Sequence, residues 1–401
     1  MNVASEEDQG DEGVGEAYAP TPEHALQQEA VKTEFAAWHH PRKQYVRVNQ
    51  WCSAVQKLLP ELMLGKADPF RYLTLPGNEL LDIRALHGVC ARAGVALRYL
   101  GFNSVGTNTR SQAELALSQS EVRSLSHIDR FSRVIEDRLE AVARERSPAF
   151  VQAQQSGPFH AINLDLCDSI AFRGSGCSRG SPIEALAKLL ELQLQSARPW
   201  LLFITTKAEP ALISTAALDG FNRAITDNSN ASPEFREALA KLIEANIERF
   251  EQEIAEAWVG QDARFLRMFC AGLGKWLLTL LTAASPPREI ELLSSCFYQS
   301  GPAGPDMLSL AFRCNTPTQS LHDRYAIIPA AAALPLSNEV EIALRLAADL
   351  GEIFDLDAKL SSDAALTERL IAQASRLLAS ARYDPVSYEA WARNRLKQVN
   401  A

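Results

Sequence analysis

Residues 70–104 read FRYLTLPGNELLDIRALHGVCARAGVALRYLGFNS. The stretch opens with a short apolar strand at 70–75, turns at Pro76-Gly77-Asn78 and continues as a helix over 79–93. Leu80, Ile83, Leu86, Val89 and Cys90 fall at helical spacing, which gives that helix one apolar face. Gly94 ends it, because glycine enters the left-handed conformation of a helix terminus without a steric cost. A second apolar run, 95–102, closes on Asn103-Ser104. Strand, glycine turn, helix and strand form the opening unit of an α/β domain that binds a nucleotide or cofactor. Such sheets hold ligands beyond the carboxyl ends of their strands. The unit therefore says where a site should lie and leaves the reaction open.

The alternation continues along the chain. Residues 111–150 read as mainly helical, with Ser111 and Glu114 at capping-box spacing and 132–135 as one option for a third strand. Residues 161–166 form a near-continuous apolar run that gives way to Asp165-Leu166-Cys167-Asp168, as a buried parallel strand does. Ser181, Pro182 and Glu184 start the next helix, and WLLFITT at 200–206 is another strand. This order predicts an α/β fold with a mostly parallel sheet and helices on both faces. A helical insertion occupies 210–286, where Ser232-Pro233 begins a segment with Phe235, Leu239, Ile243, Phe250 and Trp258 on one face. Residues 289–299 and 306–314 flank SGPAGP and read as a late antiparallel hairpin.

The whole chain divides into an acidic tail (1–25), an N-terminal helical segment (26–65), the α/β core (66–209), the insertion (210–286), the hairpin (287–330) and a C-terminal helical extension (331–401). Within the N-terminal segment, 21–38 reads as a helix broken at Pro41, with a further helix at 48–63.

Composition narrows the function classes. The net charge is −9, but residues 1–20 hold six acids and no Lys or Arg, which leaves −3 on the rest. The tail is too polar to fold alone, and no global basic field argues for nucleic acid. The start lacks the basic and apolar runs of an export signal. Seven scattered cysteines without a CxxC pair read as reduced, mostly buried thiols in a cytoplasm, not as a zinc site. The longest apolar segment, 265–284, is interrupted by Arg267 and Lys275 and reads as a buried helix; no membrane association is expected.

A Rossmann-like run of strands and helices finished by a hairpin resembles the class I S-adenosylmethionine-dependent methyltransferases, over about residues 66–315. In that family the first strand leads into a glycine-rich loop, here Leu75-Pro76-Gly77-Asn78. The second ends in an acid that holds the ribose hydroxyls, and the position here is Asn103. The fourth carries a catalytic or substrate-facing motif, here Asp165-Leu166-Cys167-Asp168-Ser169. The resemblance implies S-adenosylmethionine as cofactor, bound by Gly77, Asn78, Asn103 and Ser104, with Asp165 and Asp168 as catalytic candidates. The single glycine and the missing acids equally suit a subunit that keeps the fold without the chemistry, as a scaffold in a bacterial multi-protein complex with an unidentified protein partner.

Several groups carry a sharp reading beside a plain one. Asp165 and Asp168 stand at a strand end, where a carboxylate pair acts as a base or orients an amine; the plain alternative is a local cap and a solvated acid. The loop Arg173–Gly180 is basic and glycine-rich. Arg173 and Arg179 suit a phosphate or carboxylate, and the plain alternative is a surface loop. Its GCSRG also fits a GxSxG nucleophile, but no apolar strand abuts it. Trp38 to Arg47 gather His39, His40, Arg42, Lys43, Arg47 and Tyr45. Arg42, Lys43 and Arg47 suit a phosphate-bearing or nucleic-acid partner, against a packing segment whose cations pair with nearby acids. Asp82, His87 and His160 are candidates of the same standing, with solvation as their plain alternative.

Overall fold

A computed structural model describes residues 31–65, 67–104, 106, 108–172, 180–284, 287–301, 304–315 and 339–399. The acidic tail, most of the basic loop with Arg173, Arg179 and Ser178, and the link 316–338 lie outside those residues.

The chain enters through a short 3-10 turn at Ala37–His39. It then runs as one helical stretch of α1 (Pro41–Tyr45), a π-helical segment (Val46–Cys52) and α2 (Ser53–Leu62). The alternating core follows as β1 (Phe70–Thr74), α3 (Leu81–Arg92), β2 (Leu97–Phe102), α4 (Thr109–Arg123), β3 (Arg133–Ile135), α5 (Pro148–Ser156), β4 (Ala161–Asp165), α6 (Pro182–Gln193) and β5 (Trp200–Lys207). The insertion holds α7 (Thr215–Ala231), α8 (Pro233–Leu242), α9 (Phe250–Val259) and α10 (Ala263–Thr282). Next come β6 (Glu289–Leu292), β7 (Cys296–Tyr298), β8 (Met307–Asn315), α11 (Glu339–Leu350), β9 (Phe354–Asp355), α12 (Leu356–Ser362), α13 (Ala364–Ala379) and α14 (Pro385–Val399).

Among the described residues the sheet has nine strands in the order β3-β2-β1-β4-β5-β8-β7-β9, with β6 also on β8. β3, β2, β1, β4 and β5 are parallel, and β8 runs antiparallel to β5, β6 and β7. This is the α/β, Rossmann-like architecture that the alternation predicts. The chain moves outward from β1 to β3, then returns to place β4 on the other side of β1. The reversal between β1 and β4 is a topological switch point, the place at whose carboxyl ends such sheets hold ligands.

Strand alternation sends side chains to two faces. Leu73, Ile162 and Leu164 enter one core with α5 to α11, including Phe221 and Phe269 of the insertion. The insertion thus packs on the sheet. Phe70, Tyr72 and Ala161 enter the second core with α2, α3 and α13. α10 has the length and hydropathy of a membrane span, but most of it is buried between its neighbours.

Local signals explain most of the starts and stops. Ser181 and Glu184 form the expected reciprocal cap, Ser232 caps α8, and Gly94 follows α3 at φ +68°. Four expectations are corrected. Residues 31–36 are not helical: Lys32 donates its N–H to Arg382 and accepts from Asp384, so pairing with a distant segment overrides helix propensity. Pro41 starts a helix as its first residue instead of breaking one, since its missing N–H costs nothing there. Asn108, not Ser111, caps α4. The 235–258 face is split between α8 and α9 by left-handed Glu244 at φ 55°.

Candidate functional site

The carboxyl ends of β1 and β4 carry a buried polar network on the face that meets α3. Tyr72, Thr74, Asn163 and Asp165 share this face by alternation, with Thr74 in register with Asn163. Asp82, in the first turn of α3, accepts from Tyr72 at 3.1 Å and from Thr74 at 2.5 Å. Asn163 donates to the Tyr72 hydroxyl at 2.8 Å. Burial raises the Asp82 carboxyl above its usual range, and the charge of Asp165 adds to that rise.

The N-terminal segment forms a roof over this network. Lys43 of α1 pairs with Asp165 and lies over the Trp51 ring, 5.1 Å from its centre. The π-helical turn between them places Arg47, Gln50 and Trp51 in the interior. Gln50 ties the roof to the hairpin, donating to Ser294 at 3.0 Å and Ser309 at 2.9 Å. A second layer closes from the carboxyl terminus. Tyr388 donates to the His39 carbonyl at 2.8 Å, and Tyr383 donates to Glu79 at 3.0 Å. His39 and His40 are buried in this layer, each driven down to a pKa of about 3 by burial and then by neighbouring cations.

The loop between β1 and α3 forms the other rim. Gly77 is exposed, and a Cβ there would meet only the Glu79 carboxylate at 3.4 Å. Asn103 donates to the Pro76 carbonyl at 2.8 Å and to Asn78 Oδ1 at 3.2 Å. Its amide thus holds the loop, and its oxygen is left to accept from a ligand. Leu80 starts α3 in the left-handed region at φ 54°, a strained conformation of the kind that collects at ligand sites. Gly101 lets the loop sit this close: a Cβ there would lie 2.9 Å from Pro76 and 3.0 Å from Val134. Gly101→Ala should therefore cost about 1–2 kcal/mol by overpacking, read as a lower urea midpoint at unchanged slope.

The structure joins two groups that the sequence keeps apart. Asp165 and the basic block are one site, through Lys43. Gly77, Asn78 and Asn103 gather on one rim, and Ser104 is exposed just beyond it. Asp168 is exposed on the turn toward β5, and its carbonyl accepts from Lys207 at 3.3 Å. Arg42, Lys43 and Arg47 do not form an outward polyanion surface. Arg42 pairs with Asp357, Lys43 with Asp165, and Arg47 donates inward to the Trp38 carbonyl at 3.0 Å. Apolar Val46, Trp51 and Val55 on the same helical run demand burial and carry the cations in with them. His87 bonds the Ser126 carbonyl at 2.6 Å, and His160 binds the Arg71 N–H at 3.0 Å at the opposite end of β4. Neither belongs to the site. Tyr72, Thr74 and Asn163 were hidden because polar residues inside an apolar strand give no local signal beyond interrupting it.

A family model matches residues 32–393. The chain belongs to the PP_RS20740-like family. The match runs from the start of the roof to α14, so the PP_RS20740-like unit includes both covering layers as well as the sheet. No curated protein matches the chain.

Proposed function

We propose that this protein is an S-adenosylmethionine-dependent methyltransferase-like protein, with its cofactor across the β1–β4 reversal and its acceptor beside Asp165. The observation that carries this reading is the topological switch between β1 and β4, where Gly77 is exposed and the Asn103 amide is anchored on the same loop. These groups fit a nucleoside: an acceptor suits ribose hydroxyls, and bare backbone allows close approach. The parallel run closed by an antiparallel hairpin is what the methyltransferase resemblance implies. The cofactor, when bound, would supply an electrophilic methyl group. Asp165 would orient the acceptor or take its proton, with Lys43 beside it as its ion-pair partner.

One observation favours a second reading, a scaffold that has lost the chemistry. Lys43 already occupies Asp165, and an amide stands at Asn103 where a carboxylate would clamp both hydroxyls. Both readings place the protein in the cytoplasm, where its thiols stay reduced.

Thermal melting with S-adenosylmethionine and S-adenosylhomocysteine separates the two. The first reading expects both to raise the melting temperature through binding to the folded state. No shift at millimolar ligand leaves the scaffold reading.

A further inference from the structure

Arg47 is a buried guanidinium: it is 5% exposed and forms no ion pair among the described residues. Its single hydrogen bond there is to the Trp38 carbonyl, and its buried Nε has no partner. Of the other buried cations, Lys43, Arg84 and Lys275 each hold a carboxylate, and Arg288 donates to the Leu194 carbonyl at 2.6 Å. Asp165, Asp82 and Glu79 act on Arg47 through their charge without bonding it. Burying an unpaired charge is among the costliest arrangements in a protein interior, and a fold keeps one where something else neutralises it.

A second group points the same way. His39 accepts the Ala36 N–H on Nδ1 at 3.1 Å, so its neutral ring carries hydrogen on Nε2. That Nε2 is buried and unpartnered. Arg47 bonds the carbonyl of Trp38, the residue before His39, and its charge helps to hold that ring neutral. Two side chains of one short segment thus each keep a buried N–H without a partner among the described residues, and such donors suit an anion.

Resting on the proposed methyl-transfer reading, we infer that the acceptor substrate is a small oxyanion-bearing molecule, a carboxylate or phosphate, whose charged group docks on Arg47 and His39. The position separates acceptor from cofactor. Arg47 sits on the roof, four residues after the Lys43 that holds Asp165 on the same helical run, and not on the Gly77–Asn103 rim. An anion held there brings the rest of its molecule alongside Asp165, the group assigned to the acceptor.

The test uses the full chain, with inorganic phosphate and malonate as probes and sodium chloride at matched ionic strength as control. Wild type should melt on the order of 2 °C higher at ten times the dissociation constant of the better probe, and Arg47→Met should lose that rise. Arg47→Lys should keep part of it. Malonate against phosphate tells carboxylate from phosphate. No rise in wild type, or an equal rise in wild type and Arg47→Met as general salting would give, overturns the site. S-adenosylhomocysteine forms a separate arm: Arg47→Met should keep its shift, and loss of that shift would move the anion to the cofactor and overturn the acceptor assignment. An anion response without any response to S-adenosylhomocysteine would sink the methyl-transfer reading, and with it the acceptor role, while leaving the anion site in place.

Discussion

Replacing Asp165 with alanine should destabilise the folded chain by about 2–3 kcal/mol, and adding Lys43→Met should recover most of that loss. Lys43 is the reason. Its side chain is 9% exposed and lies against Trp51, with Asp165 as its counter-ion. Removing one member of a buried pair strands the other charge and costs about 3–5 kcal/mol where both are fully buried. Asp165 is 25% exposed, so water reaches the pair and lowers the figure. Replacing both charges removes the ion and its penalty together, so the two substitutions should be strongly non-additive. Urea unfolding of wild type, both single variants and the double variant reads this directly. A loss below about 0.5 kcal/mol in Asp165→Ala would make the contact an ordinary surface pair, and the roof would then need another anchor. The same result governs how activity is read. Turnover lost in Asp165→Ala mixes chemistry with an unseated roof, whereas Asp165→Asn keeps the shape and an acceptor oxygen for Lys43. Only the second substitution isolates the proton-accepting role.

What was legible in the sequence follows the range of the interactions. β1, α3 and β2 could be read to within two residues at each end, because apolar spacing and Gly94 act within a few positions. The late hairpin was legible too, but not its break. β6 and β7 part at Leu293–Ser295, where the Ser295 hydroxyl takes the Ala311 N–H at 3.1 Å in place of a ladder bond. The roof was not legible. Lys43 meets Asp165 from 122 positions away, and Tyr388 meets the His39 carbonyl from 349. No local pattern encodes such pairings. The cluster at 39–47 stood out by composition, but composition cannot say which way a cation points. The apolar Val46 and Trp51 beside it were the available signal, and they point inward.

Lowering the pH from 6.5 to 5 should remove about 3 kcal/mol of stability through His39 and His40 alone. Both rings are buried, at 2% and 8% exposure. Burial leads in depressing each pKa to about 3; Arg47 and Lys32 add to it at His39, and Arg42 and Arg395 at His40. An unfolded histidine titrates near 6.5, so acid protonates the unfolded chain first. The stability from neutral rings is therefore full above about pH 6.5 and lost as pH falls toward about 3. Both histidines lie in the layer clamped by Tyr383 and Tyr388, so the loss falls on the roof and not on the sheet. The check is urea unfolding between pH 7 and 5 for wild type and His40→Asn. His40 Nδ1 caps α1 by accepting the Arg42 N–H at 3.2 Å, and asparagine keeps a capping acceptor without titrating. The variant should show about half the wild-type slope. A wild-type stability that stays flat from pH 7 to 5 would mean that protonated imidazoles are accommodated in place. The Nδ1 of each ring, which accepts a backbone N–H here, would then have to give up that bond and find an acceptor instead.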